Sequence, residues 1–241
     1  MPSKRQNPEK LTCEDVVSLL RSFSDPAIIA GMPRYGIPTD HALGVSTTRI
    51  NEIAGRIGTD HDLALMLWDT GIHEARMIAA IVDDPALVTG EQMDRWAADF
   101  YSWDMCDQCC MKLFDRTSIA YEKCFEWSLD EREFVKRAAF ANMASLALYD
   151  KQAPDGQFRQ FFPVIIREST DGRNMVKKSV NWALRQIGKR NLALNAEAIA
   201  VGRELLKSDS SAARWIARDA VKELESEAVQ QRLKKWMLKK F

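Results

Sequence analysis

Apolar residues recur every three or four positions along most of this chain, the spacing of one buried helix face. Val16, Val17, Leu19, Leu20 and Phe23 set that period over 11–24. Pro26 opens a second short piece towards Met32, and the Pro-Arg-Tyr-Gly-Ile-Pro-Thr run at 33–39 reads as a loop. Ile50, Ile53, Ala54 and Ile57 predict a helix capped by Ser46 and stopped at Gly58. The same reading gives helices over 60–69, 72–82, 89–100, 103–114, 118–127 and 130–149. A loop at 152–156 follows, then helices over 158–168, 173–190, 195–206, 210–224 and 225–239. Strand-like alternation is never sustained. Phe161 to Ile166 is the one β-like run, and Pro163 weakens it. The chain is read as all-α, with residues 1–10 a loose polar tail and 11–241 one helical domain.

The predicted helices fall in pairs with short connections, and the second helices share a pattern. Val-Lys-Arg-Ala-Ala-Phe at 135–140 is echoed by Val-Lys-Lys-Ser-Val-Asn at 176–181 and by Ile-Ala-Arg-Asp-Ala-Val at 216–221. Glu-Ala-Arg-Met-Ile-Ala at 74–79 is a looser version. A period near 40 with two helices per unit marks HEAT- or armadillo-type repeats. The expected architecture is a right-handed superhelical solenoid of antiparallel pairs with a concave basic groove. A basic residue recurs near the start of each second helix, lining that groove or merely bordering its own helix.

Charge changes this picture more than composition does. The 34 basic and 34 acidic residues cancel. Residues 172–241, however, hold 16 basic and 7 acidic side chains, against 18 and 27 in 1–171. That asymmetry points to a polyanion on one face. Lys234, Lys235, Lys239 and Lys240 read as a solvated tail. The start lacks the apolar run of a signal peptide, and no apolar stretch approaches a membrane span. An odd set of five cysteines fits a reduced, cytoplasmic protein.

Two stretches carry candidate chemistry. In Ser-Trp-Asp-Met-Cys-Asp at 102–107, Trp103 and Asp107 stand four apart and share a helix face. Ser102 is the expected cap, and Asp104 suits the first turn. Periodicity alone favours Trp103 in the core and Asp107 in solvent. The alternative is an indole and a carboxylate side by side, which suits a cation. Over 173–190, Lys178, Trp182, Arg185 and Lys189 fall on one face, a basic stripe with an aromatic in it. Cys106, Cys109 and Cys110 lack the further ligands of a zinc site and read as small apolar packing residues. His41, His61 and His73 are scattered, with His73 read as packing or capping. Phosphate loops, Ser-His-Asp sets and HExxH are absent from the sequence, so neither a metal nor a cofactor is expected.

These residues together resemble the HEAT-like-repeat glycosylases of DNA alkylation repair, the AlkD type. The likeness runs from about Tyr35 to Leu224 and rests on the Trp103/Asp107 pair, Phe-Val-Lys-Arg-Ala-Ala at 134–139 and the Trp182 helix. Tyr-Gly-Ile at 35–37 and His-Glu-Ala-Arg at 73–76 are also similar to that family. The resemblance implies a catalytic carboxylate at Asp107, indoles around the deoxyribose at Trp103 and Trp182, and a backbone-contacting arginine at Arg137. Lys178, Arg185 and Lys189 are expected to help grip phosphates. The implied activity is excision of cationic N3-alkyladenine and N7-alkylguanine from double-stranded DNA by a monomer associated with the nucleoid. The alternative is a non-catalytic repeat protein that binds damaged or distorted DNA. The cysteine-rich sequence after Asp107 and a shorter spacing from Asp107 to Arg137 depart from the family pattern.

Overall fold

The computed structural model describes residues 11–238, excepting the side chains at 236 and 237. The expected tail 1–10 and the lysines at 239 and 240 lie outside the described residues. Among the described residues every regular element is helical. The chain gathers into two compact units, divided between residues 118 and 119.

The first unit holds α1 (Cys13–Ser22), α2 (Pro26–Gly31), α3 (Thr47–Ile57), α4 (His61–Asp69), α5 (His73–Val82), α6 (Gly90–Ala98) and α7 (Trp103–Lys112). The second holds α8 (Ala120–Trp127), α9 (Glu133–Tyr149), α10 (Asp155–Arg159), α11 (Phe161–Glu168), α12 (Asn174–Gly188), α13 (Leu192–Leu205), α14 (Ser211–Leu224) and α15 (Glu227–Leu238). Short polar side chains start many of these helices by accepting orphan N–H groups. Thr12 and Asp15 form a capping box, and Ser46 accepts from the Arg49 N–H. Gly58, at φ +76°, ends α3 as expected.

Three segments differ from the sequence reading. The 161–166 run is the body of α11, because Pro163 falls in its first turn, where the missing N–H has no partner to lose. Met32–Tyr35 is a 3-10 turn that carries the end of the second piece into the expected loop, and the 152–156 loop runs into α10. Helix α13 starts three residues early, since the Asn191 side chain accepts from the Leu194 N–H at 2.9 Å. Asn195, expected at the start, is buried and donates to the Gly188 carbonyl at 2.9 Å.

In the first unit α5 packs against α3, α4 and α7. Trp68 and Trp96 stack there with centroids 4.0 Å apart, both fully buried. In the second unit α9 packs on α8 and α12, and α12 in turn on α13 and α14. The related segments 135–140, 176–181 and 216–221 lie in α9, α12 and α14, the second helices of successive pairs. Ala138, Ala139, Ala141 and Ala144 are wholly buried and let the neighbours of α9 approach closely. Among the described residues no helix is long and apolar enough to cross a membrane.

Candidate functional site

Helix α7 sorts its side chains by face. Met105, Cys106, Cys109 and Cys110 are fully buried, whereas Trp103, Asp104, Asp107 and Gln108 are half-buried. Trp103 and Asp107 therefore share the outer face, and Trp103 is not a core residue. The Trp103 indole N–H donates to the Tyr35 carbonyl at 2.8 Å, which fixes the ring from 68 residues away in sequence. Gln108 reaches the Met77 carbonyl at 3.5 Å.

Ser102 occupies the N-cap position, yet its hydroxyl makes no capping bond, contrary to expectation. Asp104 instead engages α5. His73 contacts Asp104 through Nε2 at 3.1 Å and the Tyr101 hydroxyl through Nδ1 at 3.0 Å. Burial raises the Asp104 carboxyl pKa, but the hydrogen bond and charge of His73 and smaller hydrogen bonds outweigh it, leaving the pKa below its ordinary value. A lowered folded pKa stabilises above the unfolded value near ~4 and is lost as pH falls through the folded value. Urea unfolding is thus expected to show wild type losing more stability than Asp104→Asn between about pH 5 and about pH 3. Equal losses would remove the pair from the acid response.

The loop that carries Tyr35 is anchored by a residue absent from the expected site. Glu74, 2% exposed in the first turn of α5, accepts from the N–H groups of Leu43 (2.9 Å), Gly44 (2.7 Å) and Val45 (3.1 Å). Gly44 stands at φ +74°, the conformation that turns successive N–H groups inward. The His-Glu pair at 73–74 is the sequence signal for both contacts, though neither partner is local.

The cysteines pack as expected. Burial pushes the Cys109 and Cys110 thiols well up, which keeps them protonated. Among the described residues no group of three or more His, Cys, Asp or Glu is arranged to hold a metal ion.

The second unit carries Arg137 and the α12 stripe. Arg137 is 6% exposed and donates to the Met175 carbonyl at 2.9 Å, so it ties α9 to the start of α12. Arg76 is a comparable tie in the first unit, with Nε on the Trp68 carbonyl at 3.1 Å and a guanidinium N–H on Asp99 at 3.0 Å. The recurring basic residues thus divide, because Lys178 and Arg218 are exposed. Arg185 and Lys189 both bind Glu223 of α14, Lys189 at 2.6 Å. Their positive charge is largely balanced within the unit. Burial raises the Glu223 carboxyl pKa, but these two cations more than reverse it, leaving the pKa lowered. Trp182 is half-buried, its N–H 3.1 Å from the Gln186 amide oxygen in the amide orientation that satisfies both groups. Beside it the sequence reading missed Trp215 of α14, 38% exposed under the Lys177 ammonium at 4.8 Å.

The model of the DNA alkylation repair enzyme family matches residues 16–224. The chain belongs to that family. Among solved structures, this DNA alkylation repair family chain is similar to a protein described as one of a new family related to the HEAT-like repeat DNA glycosylases with affinity for branched DNA structures. The TM-score is 0.76 at 18% identity, over 92% of this chain and 96% of that one. That likeness shows a HEAT-like repeat fold, as the sequence period predicts. A designed armadillo repeat protein matches with a TM-score of 0.39 and 16% identity over 91% of this chain and 96% of its own, too low to bear on the fold. Among curated proteins none matches this DNA alkylation repair family member.

Proposed function

We propose that this protein hydrolyses the N-glycosidic bond of cationic alkylpurines in double-stranded DNA. The observation that carries the proposal is the half-exposed pair Trp103 and Asp107 on one face of α7, in a chain of the DNA alkylation repair enzyme family. Alkylation at N3 of adenine or N7 of guanine leaves a positive base. Its C1′–N bond breaks with the electron pair passing to the base, and no general acid is required. The sugar left behind is oxocarbenium-like, as in other glycoside hydrolysis. Asp107 stabilises that cation and orients the water whose oxygen joins C1′ as its proton passes to solvent. The fixed Trp103 ring adds a π face, a contact worth ~0.5–2 kcal/mol. Trp182, half-exposed on the basic stripe of the second unit, offers that unit an indole of its own for DNA.

The phosphate contacts are reassigned in weight. Lys178, exposed on α12, is the primary backbone contact. Arg137 acts chiefly by holding the start of α12. Arg185 and Lys189 contribute only as Glu223 yields them. Glu223→Ala is therefore expected to tighten duplex binding and steepen its salt dependence by up to about two phosphate contacts, read as log Kd against log salt. An unchanged slope would remove both cations from the interface.

A second reading is binding without excision, favoured by the fold shared with a protein of stated affinity for branched DNA. The deciding assay measures release of 7-methylguanine from methylated duplex by the wild type, with binding to linear and four-way DNA in parallel. Base release supports the first reading. Tight four-way binding with no released base replaces it with the second.

A further inference from the structure

A cavity of about 660 Å³ lies within the second unit, away from Trp103 and Asp107 of the first unit but sharing Lys189 with the basic stripe. It opens between the end of α9, the connection 151–155, the α12–α13 junction and α15. Leu148, Leu192 and Leu233 contribute apolar wall, and Lys151, Lys189, Arg190 and Arg232 supply four cationic groups. Its volume lies within the range of small-molecule sites.

Cations outnumber acids in the wall of this cavity, four to one. Arg190 lies face-on over the Phe158 ring at 3.8 Å, and its guanidinium donates to the Ala147 carbonyl at 2.8 Å and the Ala153 carbonyl at 3.2 Å. Those partners are neutral, and they lock the side chain in place. Burial and the positive charges of Arg190 and Arg232 all act to lower the Lys151 pKa, so the cations face one another. Two acids are near. Glu223 pairs with Lys189 at 2.6 Å, and Asp155 accepts from the Asn191 side chain at 2.8 Å. The first turn of the 14-residue helix α13 supplies a further positive end, with Leu192 and Ala193 in the cavity wall.

We infer that this cavity binds a phosphate monoester on an apolar body of nucleotide size. The cations gathered around the α13 N-terminus favour a dianionic monoester over a singly charged diester. The apolar wall receives the rest of the ligand. Two sources share this chemistry, a free nucleoside monophosphate and the 5′-phosphorylated end of a DNA strand.

Calorimetric titration of the full chain tests this with four probes: dAMP, deoxyadenosine, and a short single strand with and without a 5′-phosphate. The expected result is saturable dAMP binding, at least about tenfold tighter than deoxyadenosine. Lys151→Ala combined with Arg232→Ala, both exposed positions, is expected to weaken dAMP binding about tenfold or more with an unchanged circular dichroism spectrum. If the 5′-phosphorylated strand competes with dAMP and its hydroxyl counterpart does not, strand ends are the source. If dAMP alone binds, the source is the free nucleotide. Equal binding of phosphorylated and unphosphorylated probes, or equal dAMP affinity in the double variant, overturns the inference. Base release is read in none of these arms, so this site and the excision reading fail independently.

Discussion

Replacing Asp107 with Asn is expected to slow 7-methylguanine release from methylated duplex DNA by ~10²–10³-fold, with duplex affinity unchanged. Asn keeps the size of the side chain and its place on the half-exposed face of α7, so the fold is preserved. What it removes is the negative charge that the proposed reaction places beside C1′. The leaving base is already cationic, so barrier lowering falls on stabilising the sugar cation, and a neutral amide does this poorly. The measurement is single-turnover base release at saturating enzyme, with binding followed separately. Equal rates would mean that another group carries the reaction. No release by either protein, with binding intact, would move the assignment to the non-catalytic reading.

Glu74→Ala is expected to destabilise the first unit by about 3–5 kcal/mol, seen as a fall in thermal midpoint of roughly 10 °C. The carboxylate is the shared acceptor for the N–H groups of Leu43, Gly44 and Val45. Alanine removes that acceptor and leaves donors buried without a partner, a larger loss than that of one exposed hydrogen bond. It also takes a negative group from the first turn of α5, where the helix dipole favours one. The anchored connection leads back to Tyr35, whose carbonyl holds Trp103. Base release is therefore expected to fall along with stability, even though Glu74 touches no substrate. An unchanged midpoint would show that solvent can replace the carboxylate there.

Much of the architecture was legible in order along the chain. A helix face is a local property, so the apolar period located the helices, and the i, i+4 spacing set Trp103 beside Asp107 on α7. The 40-residue echo placed 135–140, 176–181 and 216–221 on the second helices of successive pairs, because equivalent helices meet equivalent neighbours. Family resemblance singled out Asp107, Trp182 and Arg137 as residue types, and the Asp107→Asn assay is the test of the first of them.

The partners of those residues were not legible, because packing alone brings them together. Nothing in the α12 stripe announces that Arg185 and Lys189 are met by Glu223 more than 30 residues on. Arg137 reads as a surface cation until Met175 is seen to take its N–H from 38 residues away. Tyr35 on Trp103, Glu74 on Gly44 and the four cations of the second-unit cavity likewise join segments far apart in sequence. Spacing along the chain thus determined which side chains share a helix face. Only the tertiary structure decided which of their charges are met by a neighbour, because a charge responds to what lies within a few ångströms in space and not to its place in the sequence.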